Sequence, residues 1–90
     1  MSVRSEFART LSDTIRCLHA ADGPRARELA RGLERARADA NGDLSRAATS
    51  VLAEWEPSPA DALPIDADTG TALIDAADRM VAIAKVILGR

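Results

Sequence analysis

Gly and Pro cut this chain into four pieces, and each piece spaces its apolar residues at intervals of three and four, so the segments can bury a common face only as helices. In residues 2–20 the positions Val3, Phe7, Leu11, Ile15 and Leu18 fall on one stripe, with Ser2 placed as N-cap. Asp22-Gly23-Pro24 stops that helix and starts another at 24, where a first-turn Pro loses no hydrogen bond. Residues 24–40 align Ala26, Leu29, Leu33, Ala36 and Ala40 beneath a charged face, and Asn41-Gly42 ends them. Asp43 caps a third helix, 43–55, on which Leu44, Ala48, Val51, Leu52 and Trp55 share a side.

The stretch from 57 to 68, PSPADALPIDAD, carries three prolines and reads as an extended connector, with Leu63 and Ile65 available to the core. A last helix over 69–88, starting near Asp68, Thr69 or Thr71, carries Leu73, Ala76, Ala77, Met80, Val81, Ile83, Ala84, Ile87 and Leu88. At 100° per residue these cover roughly half the circumference, wider than the ~100° stripe of an ordinary surface helix. The expected fold is therefore all-α: a single domain over 1–90, a small four-helix bundle of three long helices and one shorter, closed by a Pro-rich connector.

Alanine sharpens the picture. Nineteen of the 90 residues are Ala, and Phe7 and Trp55 are the only aromatics. Small side chains let helices approach closely but bury little area each, so the core is expected to be thin. A chain of this length buries only about 60 to 65 % of its unfolded surface, and a partner's surface would add to a marginal stability.

Charge excludes little. The net charge is -2, with residues 1–42 at +2 and residues 43–90 at -4. A single cysteine, Cys17, cannot form an internal disulfide, and no metal-ligand spacing appears. The longest apolar run, MVAIAKVIL at 80–88, is too short for a membrane span and contains Lys85, so a cytoplasmic protein without a membrane segment is expected.

Catalytic groups are scarce. His19 is the only histidine, and it lies two residues from Cys17, a spacing that points the two side chains apart on a helix. His19 and Gly23 share their spacing with the H-x-x-K-G pattern of phosphotransfer domains, but Asp22 replaces the basic residue and Pro24 breaks the helix. The run DADTG at 66–70 opens like a calcium loop, yet it lacks the turn glycine at position six and the carboxylate at position twelve. No cofactor, metal or enzymatic activity is expected.

Binding remains. Ile74, Val81 and Val86 lie outside the centre of the last helix's core stripe, and Trp55 ends a helix just before the prolines. Such apolar residues mark an interface, and a protein partner, including a homodimer, is expected there. Arg27, Arg31 and Arg35, flanked by Arg25 and Arg37, step by four along the solvent side of the second helix, with Glu28, Glu34 and Asp39 spaced to pair with Arg31 and Arg35. That row offers an alternative as a nucleic-acid-associated regulator, not favoured because the third helix, the reader in a helix-turn-helix, holds with the Glu56 that follows it one basic residue, Arg46, and three acids. The leading expectation is a regulatory or adaptor module acting through its apolar C-terminal helix, and the richness in Ala, Arg and Asp hints at a bacterial, high-GC source.

Overall fold

Helix signals in the sequence are met one by one in the computed structural model, which describes residues 2–21 and 23–90. The helices are α1 (Val3–His19), α2 (Pro24–Ala40), α3 (Leu44–Trp55) and α4 (Ala67–Ile87), and among the described residues there is no strand. Ser2 and Asp43 cap α1 and α3 as expected, accepting from the backbone N–H of Ser5 at 3.1 Å and of Arg46 at 3.0 Å. At the corner into α2 the backbone of Gly23 has φ 112°, a conformation that glycine adopts without strain. Asp22, expected at the same corner, lies outside the described residues.

Two boundaries differ from expectation. The connector is not extended throughout, because Ala60–Ala62 form one turn of 3-10 helix. α4 also begins two residues early: the Asp66 carboxylate accepts from the N–H of Thr69 at 2.7 Å and takes the cap from its competitors Asp68, Thr69 and Thr71. The choice follows from what precedes it. Ala60 and Leu63 are buried and Ile65 packs against the core, so the chain reaches Asp66 already tied down.

The four helices form a ring in which α1 packs on α2 and α4, and α3 packs on the same two. α1 and α3 thus face each other across one diagonal, α2 and α4 across the other. Short corners make α1, α2 and α3 alternate in direction. α4 runs opposite to α3, since Trp55 and Ser58 lie beside Ala77 and Asp78 whereas Thr49 and Leu52 lie beside Leu88.

The core is built from Phe7, Leu11, Leu18, Leu29, Leu33, Val51, Leu73 and Met80, with alanines filling the seams between them. All five residues expected on the inner face of α2 are buried, and Ala30 joins them. Periodicity of apolar residues alone misses Thr10 and Thr14. Both are buried on α1, and their hydroxyls donate to the carbonyls of Phe7 and Thr10 at 2.8 Å each, which satisfies the polar atom within its own helix.

Neighbours on two sides supply most of the cover that α4 needs. Leu73, Ala76, Ala77, Met80 and Ala84 are buried, and Val81, Ile83, Ile87 and Leu88 pack partly against the core. The half-circumference of apolar surface is largely absorbed by α1 and α3, with Ile74 and Val86 left outside.

Two substitutions test this packing. Gly32 sits mid-helix in α2, and a Cβ there would meet Glu54 Oε1 at 3.7 Å, an ordinary contact. Gly32→Ala should raise stability by about 0.5–1 kcal/mol through helix propensity. Leu29→Ala, at a fully buried site, should cost about 2–5 kcal/mol, a large part of the stability of a small domain. Urea unfolding followed by circular dichroism measures both.

Candidate functional site

Two surfaces gather the residues singled out by the sequence, one on α4 with the end of α3, the other on α2. On α4 the expected residues do not form one patch. Ile74 is 43 % exposed and Val86 67 %, while Val81 is half-buried and packed on the core. At 100° per residue Ile74 and Val81 stand about 20° apart on one edge of the helix, whereas Val86 stands about 120° from Ile74. Val86 therefore stands apart from Ile74, next to the half-buried Ile83 and the exposed Ala82 one turn earlier and among Asp75 and Arg79 on the same arc.

Trp55, expected on the surface because it precedes the prolines, is a core residue at 1 % exposure. Its place on the inner face of α3 decides its fate, and Ala60 and Leu63 of the connector join the same buried cluster. The indole Nε1 is enclosed without a hydrogen-bond acceptor among the described residues, which leaves a donor desolvated at a cost of about 1–3 kcal/mol. Trp55 contributes to the wall of a groove of about 370 Å³ that Pro57, Ala77, Val81 and Ala82 line together with Glu56, Ser58, Asp78 and Lys85.

That groove lies between the end of α3 and the middle of α4, and a charged pair crosses it. Lys85 Nζ stands 2.7 Å from Glu56 Oε2. The hydrogen bond from Lys85 holds the Glu56 carboxyl below its ordinary value, desolvation opposes that effect, and the charges of Lys85 and Arg90 reinforce it. Ile74 lies one turn before the groove residues Ala77 and Asp78 on α4.

On α2 the arginines are arranged as expected but their pairing is not. Arg27, Arg31 and Arg35 are all exposed. Glu28 pairs with Arg25 at 3.3 Å, and Glu34 pairs across the bundle corner with His19, Nε2 to Oε1 at 3.5 Å. Of the acids expected to neutralise Arg31, Glu28 is engaged with Arg25 and Glu34 lies against His19, and among the described residues Arg27, Arg31 and Arg35 enter no ion pair. Arg31 and Arg35 border an open cleft of about 710 Å³ that Glu28, Glu34 and Glu54 also line. Arg37 turns away from the row, donating to Ser12 Oγ of α1 at 3.2 Å.

The reactive side chains stand apart. His19 directs Nε2 to Glu34. Cys17 is free and half-buried, its thiol pushed up by burial first and by the Asp13 carboxylate second, with Arg16 working against both. Among the described residues no three His, Cys, Asp or Glu side chains gather in a way that would hold a metal ion. No helix among them is long and apolar enough to cross a membrane.

Acid should loosen two of these contacts. The Asp66 carboxyl is lowered by its bonds from Thr69, and Glu56 is lowered by Lys85. A carboxylate whose pKa falls on folding contributes stability above its unfolded-state value and loses it as pH drops through the folded-state value. The urea midpoint should accordingly fall as pH descends below the ordinary carboxylate range. The double variant Glu56→Gln, Asp66→Asn should flatten that decline, since Asn still caps a helix but does not titrate.

Compared with known proteins, the chain matches no family model, no curated relative and no solved structure.

Proposed function

We propose that this chain is a non-enzymatic protein–protein interaction module, a regulatory or adaptor protein of bacterial type, that works by pairing through the α3–α4 edge, first with a second copy of itself. The observation that carries this reading is the adjacency of a knob and a hole. Ile74, 43 % exposed, precedes Ala77 and Asp78 by one helical turn on the edge of α4 that, with Trp55, Pro57 and Val81, walls a groove also bordered by Glu56, Ser58, Ala82 and Lys85. A two-fold axis between knob and hole would seat each Ile74 in the other copy's groove, which is the self-complementarity that a symmetric dimer requires. A standard interface takes about 800 Å² from each partner, a modest share of the 5279 Å² that this chain exposes.

The separation of His19 from Cys17 supports the non-enzymatic part of the reading, because neither has the other as base or nucleophile. The cytoplasm is the compartment that fits a lone free thiol.

A nucleic-acid role through Arg27, Arg31 and Arg35 is the second reading, favoured by the absence of ion pairs to these three among the described residues. Glu28, Glu34 and Glu54 on the same cleft weigh against it, since a phosphate backbone would meet carboxylates there.

Sedimentation velocity over a range of micromolar concentrations tests the lead reading. The parent should shift toward dimer mass, Ile74→Asp should stay monomeric, and Val86→Glu, on the other side of α4, should pair like the parent. Raising salt should leave the dimer nearly unchanged, because apolar contacts are not screened. A strictly monomeric mass for the parent at high micromolar concentration would overturn the proposal.

A further inference from the structure

We infer that the exposed face of α2 is a docking strip for an acidic helix of another protein, one that carries carboxylates four residues apart. The inference stands apart from self-pairing, since α2 and α4 occupy opposite corners of the ring.

Three observations carry it. Arg27, Arg31 and Arg35 recur every four residues, so their positions rise by about 6 Å per step along one side of the helix. Glu28 pairs with Arg25, Glu34 Oε1 stands 3.5 Å from His19 Nε2, and among the described residues none of the three guanidinium groups enters an ion pair, so their donors are left for an outside acceptor. The third observation is an open cleft beside Arg31 and Arg35, walled by α2 and by Glu54 of α3, with room for an incoming side chain.

Charge complementarity fixes the kind of partner. A guanidinium prefers a planar carboxylate or a phosphate, which it grips with two parallel bonds. Glu28, Glu34 and Glu54 stand around the cleft, and a continuous phosphate chain laid along α2 would run past all of them. A helix with acids at every fourth position has the same 6 Å repeat as the arginines. It can place each carboxylate on an arginine and a neutral residue near each glutamate. The observations therefore favour discrete carboxylates over a nucleic-acid strand.

The test uses the whole chain labelled with nitrogen-15 and a synthetic alanine-based helical peptide with glutamate at every fourth position. At about 0.01 M ionic strength, where charges act over about 30 Å, the peptide should shift the amide signals from Arg27 to Arg35. The matching glutamine peptide should not. Arg27→Gln, Arg31→Gln, Arg35→Gln together should weaken binding about tenfold, the effect of losing three surface ion pairs, with circular dichroism showing the fold intact. Ile74→Asp should bind the peptide as the parent does, whatever its effect on self-association. Equal shifts with the two peptides, or an unchanged affinity in the triple arginine variant, would overturn the inference. So would a mixed-sequence DNA duplex that binds through the same arginines more tightly than the glutamate peptide.

Discussion

Close contact between small residues on neighbouring helices is the constraint on which the bundle depends. Ala26, Ala30, Ala36 and Ala40 of α2, Ala47 and Ala48 of α3, and Ala77 and Ala84 of α4 are all buried. They let the helix backbones approach until the few large side chains, Phe7, Trp55, Met80 and the leucines, fill what is left. Each alanine contributes little hydrophobic area, so the core gains its stability from density more than from volume. Any of these seams would resist enlargement, because a bulkier residue would wedge two helices apart along their whole length.

The same thinness explains what the surface is free to do. With so little interior, the chain places its polar hydroxyls, Thr10 and Thr14, inside a helix where the backbone can satisfy them. It leaves Ile74 and Val86 outside because α1 and α3 can cover only the arc of α4 that faces them. The ring has two open corners of different character, one apolar at the α3–α4 edge and one cationic along α2.

Much of this was legible in the residues. The three-and-four spacing marked the inner face of α2, those of α1 and α3 apart from the exposed Val3 and the half-buried Leu44 at their first turns, and most of that of α4, and Ser2 and Asp43 announced their caps. Rows of equally good signals were harder. Asp66, Asp68, Thr69 and Thr71 can all cap a helix, and the selection of Asp66 rests on Leu63 and Ile65 docking just before it, a tertiary fact. Trp55 carried two opposed signals, a core-facing position in its helix and a place beside prolines, and burial against the rest of the chain decided between them. The α2 acids read as partners for arginines on their own helix, but His19 arrives from α1 to claim Glu34, and local spacing has no knowledge of that neighbour.

The diagonal between α2 and α4 has a bearing on valency. Were two copies to join along their α3–α4 edges, the guanidinium rows would be carried outward to the far ends of the pair. A doubly acidic target could then be clasped at both ends, the second attachment being intramolecular and governed by the effective concentration that the first one creates. The spacing of the target's two acidic stretches would become the quantity that selects it.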